Sequence, residues 1–216
     1  CHLDHPIGFG RDILNAYLTI RLYYGGAKRY LITTFIQAPV RYQPATIIDP
    51  VLRPKVYQKT PEQGDFLVAY KGAGGENLAM QRVLEDYSRV PIRAYGFGVL
   101  GQRGRGSTIF KPFCSNEFLH DLATCAGVIS SAGHSLVCES LFFEKPMLLI
   151  PIAAQYEQLL NAHHVEKIGA GMAIAKLSSE SIDRFVDRLG DFRGAMSGKP
   201  KADLEPVLDA VEREIP

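Results

Sequence analysis

The residues best suited to chemistry lie in one short stretch. Ser131, Gly133, His134 and Ser135 follow the apolar run Gly127 to Ser130, and Glu139 comes four residues after Ser135. The pattern reads as strand, small-residue turn and helix. A helix that starts directly after a strand points unpaired backbone N–H groups and the positive end of its dipole beyond the carboxyl edge of the sheet. Small residues let an anion such as a phosphate approach those groups, and the Ser135 hydroxyl adds a donor. Glu139 falls one helical turn further on the same face, where a carboxylate accepts two hydroxyl protons, as from a ribose. Taken by itself, the segment fits a plain capped helix with a solvated Glu139 equally well.

A second small-residue turn, Gly72-Ala73-Gly74-Gly75, follows the run Phe66 to Tyr70. As a dinucleotide fingerprint it fails, because Asn77 stands at the third glycine position. No acidic residue ends the next strand either, which closes on Tyr95-Gly96-Phe97-Gly98. It remains a turn that a phosphate can approach. Gln155, Glu157 and Gln158 cluster where the chain leaves another strand and enters a helix. Amides and a carboxylate there suit a ligand rich in hydroxyls, and they suit an ordinary acidic helix start as well. His163 and His164 are adjacent and point to different faces, which precludes an i,i+4 metal pair. HExxH, GxSxG, GK[ST] and DxD are all missing from the sequence. No metal site is expected, so any bound phosphate must be balanced by helix dipoles and nearby cations.

The elements that must hold these residues are legible from Asp65 onward. Strands are predicted at 66–70, 91–95, 108–110, 127–130 and 147–150, each almost continuously apolar, as buried parallel strands are. Helices alternate with them: one carrying Met80, Val83, Leu84 and Tyr87, one carrying Phe118, Leu119, Leu122 and Ala123, and one over about 156–167. This alternation implies an α/β fold, a Rossmann-like parallel sheet flanked by helices. Two amphipathic helices close the chain, the first capped by Ser178 or Ser179. The first 48 residues are less regular. Arg29 to Ile36 reads as strand, Tyr17 to Tyr24 fits either helix or strand, and Asp49 to Gly64, with three prolines, reads as a linker. Residues 1–58 are assigned to a first segment and 59–216 to a ligand-binding domain.

Composition narrows the classes. Of 216 residues, 46% are hydrophobic and the net charge is +1, which excludes intrinsic disorder. Lys and Arg number 24 against 23 Asp and Glu, so bulk charge draws no nucleic acid to this chain. The four cysteines form no CxxC pair and read as thiols in a reducing compartment. No run is long and apolar enough for a transmembrane segment.

At these residues the chain resembles the nucleotide-sugar glycosyltransferases of the GT-B fold, in particular bacterial and archaeal transferases related to the N-acetylglucosaminyltransferase of peptidoglycan synthesis. The motifs are, in order, GVISSAGHSLVCESL, EKPMLLIP, QYEQLLNA and GAGM, with VLRPKV and GDFLVAY upstream and CHLDH at the start. The resemblance implies the C-terminal, donor-binding half of a GT-B fold with a remnant of the N-terminal domain. It implies metal-independent transfer of a sugar from a nucleotide diphosphate sugar, a UDP-sugar, to a glycan, lipid or small-molecule acceptor, in the cytoplasm or peripheral to a membrane. No cofactor is implied beyond the donor. Gly72, Gly74, Gly75, Ser131, Gly133, His134 and Ser135 would meet the donor diphosphate and Glu139 the ribose. Gln155, Glu157 and Gln158 would read the sugar, and Phe113 marks the loop that receives the base. The acceptor site and catalytic base would belong to a missing N-terminal domain or a partner chain, and neither Asp4 nor His5 is assigned as a base. The alternatives are a non-catalytic nucleotide-sugar module, the donor half of a split transferase, and a nucleotide-sugar 2-epimerase.

Overall fold

The computed structural model describes residues 10–36, 44–72, 78–153, 155–199 and 201–213. The first segment holds helix α1 (Gly10–Tyr24) and strands β1 (Tyr30–Thr33) and β2 (Ala45–Ile48). The two strands pair in parallel, from Tyr30 against Ala45 to Thr33 against Ile48. Tyr17 to Tyr24, which the sequence left open, is helical. None of the α1 residues is buried, and Leu14, Tyr17, Leu18 and Leu22 are exposed.

The main sheet is built from β3 (Leu67–Tyr70), β4 (Ile92–Tyr95), β5 (Arg103–Arg105), β6 (Thr108–Lys111), β7 (Gly127–Ser130), β8 (Met147–Leu149) and β9 (Gly171–Ala173). Its order is β5-β6-β4-β3-β7-β8-β9, with every pair parallel except β5 with β6. All five apolar runs read from the sequence form strands. The sequence did not reveal β5 and β9. Each has three residues, and β5 is fully exposed, so neither carries an apolar signature.

Side chains alternate between the two faces, as pleating requires. Val68 and Val128 enter one core with Phe118 and Leu122 of α3 (Ser115–Thr124), Val137 of α4 (His134–Phe142) and Val165 of α5 (Tyr156–Lys167). Leu67, Ala69 and Ile129 enter the other. There they meet Leu84 of α2 (Leu78–Asp86), Phe185 of α6 (Ser179–Asp187) and Phe192 of α7 (Leu189–Met196). Ser178 caps α6 in a reciprocal capping box with Ser181. Helix α8 (Leu204–Glu212) packs back against β2.

The expected linker over 49–64 has no regular structure, yet it is not loose. Leu52 and Val56 are buried in the first core, and the Glu62 and Gly64 amides donate to the Ala123 and Thr124 carbonyls at 2.9 and 2.8 Å. The buried Lys145 ammonium donates to the Glu62 and Cys125 carbonyls. Two apolar residues four apart are too few to stand out as a pattern among three prolines, which is why the strapping was not readable.

One buried polar cluster ties α3 to the sheet. Asp121, 1% exposed, accepts from the Tyr95 hydroxyl at 2.5 Å, from Arg93 at 2.5 Å and from Lys111 at 3.0 Å. Burial works to raise the carboxyl pKa, but the three hydrogen bonds outweigh it and hold it below the usual range. The Asp121 contribution to stability is therefore present in full above about pH 4, the unfolded value, and is lost as pH falls through the lower folded value. Asp121→Asn leaves two cations facing a neutral group and is expected to cost about 3–5 kcal/mol. Urea unfolding should show that deficit unchanged between about pH 5 and 8 and shrinking below about pH 4.

Candidate functional site

The chain runs from β3 outward to β4 and β6, then returns to place β7 on the other side of β3. The strand order reverses between β3 and β7, and ligands of open α/β sheets bind in the crevice outside the carboxyl ends at such a point. The register, Leu67 against Gly127 through Tyr70 against Ser130, ends both strands level. Gly72, just after β3, is thus a neighbour of the small-residue turn after β7. A side chain at Gly72 would reach within 3.4 Å of the Ser131 hydroxyl oxygen, so the backbone there passes close to the second turn.

A cleft of about 500 Å³ opens at this edge, and Gly72, Phe113, Ser131, Gly133, His134, Ser135, Glu139, Glu157 and Gln158 all line it. Gly74 and Gly75 lie outside the described residues, as do Asp4 and His5. Gln155 does not line the cleft. Its side-chain oxygen accepts from the Gln158 amide at 2.6 Å, while the Gln158 oxygen accepts from the Ile152 backbone at 3.0 Å. Gln155 therefore holds Gln158 in place, and Gln158 and Glu157 are the pair presented to the cavity.

Helix α4 opens with Gly133 at the N-cap, which has no side chain to close the first turn. Its leading N–H groups remain available to an anion. The turn is held from behind by Asn161 of α5, a buried amide donating to the Ala132 carbonyl at 2.9 Å. Asn161 lies in the QYEQLLNA run, but its support of the turn depends on α4 and α5 packing side by side. Burial lowers the His134 pKa, only partly opposed by Glu157, so the ring is neutral near pH 7. The His134 ring also lies 6.3 Å from that of Phe35, so the first segment reaches the site.

Two further features were not anticipated. Tyr70, Phe113 and Phe118 form an aromatic wall with ring centroids 5.2–6.1 Å apart, and Phe113 remains 55% exposed. Arg53, from the strapped segment, binds Glu139 through both nitrogens of its fork, at 2.6 and 2.7 Å. Glu139 is therefore not the solvated carboxylate of the plain-helix reading. Among the described residues, no group of three or more His, Cys, Asp or Glu side chains is placed to hold a metal ion. No helix is long and apolar enough to cross a membrane among those residues.

These features define a doubly wound α/β domain with a cleft at its switch point, lined by a helix N-terminus, carboxylates and an amide. Comparison with known proteins gives the family. The profile of Glycosyl transferase family 1 matches residues 1–190, and the chain belongs to that family. A relative from Geobacillus thermodenitrificans, UDP-N-acetylglucosamine--N-acetylmuramyl-(pentapeptide) pyrophosphoryl-undecaprenol N-acetylglucosamine transferase, is 29% identical over 167 residues, covering 67% of this chain and 47% of the relative. The transferase of the same name from Clostridium novyi is 38% identical over 82 residues, 36% of this chain and 23% of the relative. The chain spans about half the length of the first of these relatives.

Among solved structures, the glycotransferase of kitacinnamycin superposes with a TM-score of 0.62 at 18% identity, covering 88% of this chain and 55% of that one. Phytolacca americana UGT2, complexed with UDP-2fluoro-glucose and pterostilbene, gives 0.60 at 12% identity, covering 87% and 53%. These likenesses establish the fold, the GT-B half implied by the motifs.

The site contains one cysteine–histidine contact, with the Cys138 sulfur 3.5 Å from His134 Nε2. Burial first, then the Glu139 and Glu157 carboxylates, push the Cys138 thiol up to about 12, so it is no nucleophile at neutral pH. Iodoacetamide at pH 8 should alkylate the exposed Cys114 at least roughly tenfold faster than Cys138. Peptide mapping after brief labelling reads the ratio.

Proposed function

We propose that the cleft binds a nucleoside diphosphate sugar, with uridine diphosphate as the nucleotide part, and that the protein is a glycosyltransferase. One observation carries the reading. The uncapped start of α4 faces the same crevice as a carboxylate one turn further along and a carboxylate–amide pair on α5. That order suits a diphosphate at the N–H groups, a ribose toward Glu139 and a sugar toward Glu157 and Gln158. The exposed Phe113 edge offers a flat apolar surface for the base. The names of the Geobacillus relative and of the Phytolacca complex, both of which mention UDP compounds, support this choice of donor.

In the reaction, an acceptor hydroxyl oxygen forms a bond to the anomeric carbon as the bond from that carbon to the diphosphate breaks. The acceptor proton leaves to a base, and the diphosphate takes up negative charge. Backbone N–H groups at Gly133 to Ser135 are aimed at that charge, and donors of this kind are worth about 2.7–4 kcal/mol each where water is excluded. We place the acceptor and the base on a portion of polypeptide outside this chain, by analogy with relatives about twice as long as the matched region. Binding requires no metal ion in this scheme.

Calorimetry with uridine diphosphate in the presence of a chelator should show binding. A signal that vanishes on chelation overturns the metal-free scheme. Glu139→Gln should weaken uridine diphosphate by roughly 10- to 100-fold, since hydrogen bonds to a charged group contribute about 1.5–3 kcal/mol. Inorganic diphosphate should be nearly unaffected. The 216-residue chain should bind donor without appreciable transfer until an acceptor-binding polypeptide is added, read by release of labelled nucleotide.

A further inference from the structure

We infer that Arg53 is a positioning residue for ribose recognition, acting through Glu139. The inference rests on the proposed reading of Glu139 as the group that meets the ribose. A carboxylate at the end of a Glu side chain rotates readily, because its last torsion is broad. Here that freedom is removed. Arg53 Nε donates to one Glu139 oxygen at 2.6 Å and the adjacent terminal nitrogen to the other at 2.7 Å, a planar fork-on-fork pairing. The fork takes one acceptor position from each oxygen, and each oxygen has two. The remaining pair matches a vicinal diol, which brings two neighbouring O–H donors.

Arg53 is itself fixed. Its third nitrogen donates to the Ser115 hydroxyl at 3.2 Å, and its carbonyl accepts from the Val56 amide at 2.8 Å. The flanking Leu52 and Val56 are buried, so the backbone under Arg53 is pinned to the core. The Glu139 side chain is 5% exposed and that of Arg53 39% exposed. The guanidinium thus supplies the countercharge for a nearly buried carboxylate. Lysine cannot substitute, since a point charge fixes neither the plane nor the second oxygen.

Calorimetric dissociation constants for uridine diphosphate, its 2′-deoxy analogue and inorganic diphosphate test this on the 216-residue chain. The proteins compared are the wild type, Arg53→Met, Arg53→Lys, Glu139→Gln and the Arg53→Met/Glu139→Gln double variant. The wild type should prefer the ribose form about tenfold, one charged hydrogen bond. Arg53→Met should bring the preference close to unity, the double variant should lose nothing further, and inorganic diphosphate should bind all five proteins alike. Arg53→Lys keeps the charge and protects folding should the methionine variant unfold. Its preference should fall between those of wild type and Glu139→Gln.

A full preference in Arg53→Met or Arg53→Lys overturns the inference while leaving the ribose role of Glu139 intact. Weakened inorganic diphosphate in Arg53→Met also overturns it, by making Arg53 a direct phosphate ligand. A wild type that binds both nucleotides equally removes the Glu139 reading and this inference with it.

Discussion

The pairing of β3 with β7 is the constraint on which the rest of the site depends. The two strands lie in parallel with Tyr70 beside Ser130, although 60 residues separate them in the chain. Parallel neighbours end at the same edge of a sheet, so Gly72 after β3 meets Ser131 after β7, and α4 begins there with a residue whose side chain cannot cap it. A register shifted by one residue would reverse which side chains face each core. Leu67, Ala69 and Ile129 on one face and Val68 and Val128 on the other fix it.

Several of the ionisable groups around the cleft are either paired or held neutral. Glu139 is matched by Arg53, His134 is kept neutral by burial, and the Cys138 thiol stays protonated. The helix N-terminus is thereby left as the local feature most receptive to an anion. Asp121, Arg93 and Lys111 form a second charged group, but it lies under the sheet edge and its hydrogen bonds are satisfied internally. It fixes α3, and through Phe118 it supports the aromatic wall next to Phe113. The charges that fix α3 and those around the cleft are thus separate sets.

The first segment is joined to the main sheet at several points. Phe35 lies against His134, Leu52 and Val56 enter the core, and α8 returns to β2. Residues 49–64 consequently act as part of the wall around Glu139, even though they contain no helix or strand. By contrast, α1 buries none of its residues and leaves an apolar surface on the outside.

The sequence by itself determined the α/β class, the five apolar strands and most of the cleft wall. These follow from local signals: buried parallel strands are apolar throughout, and a small-residue turn before a helix is visible in any window of ten residues. Ser131, Gly133, His134, Ser135 and Glu139 were legible together because one strand–turn–helix unit carries them all. Gly72 was legible as a turn residue and Phe113 through the family resemblance, but the strand order that brings them to one cleft was not. Strand order is a long-range property, and only the folded sheet placed β3 beside β7. The same holds for Arg53 and Glu139, 86 residues apart, and for Asn161 reaching the Ala132 carbonyl, 29 residues away. No periodicity encodes such contacts, because they arise where two separately formed elements pack against each other. The tertiary structure alone decided that a proline-rich stretch supplies the cation facing Glu139, and that Gln155 holds Gln158 in place at the cleft wall.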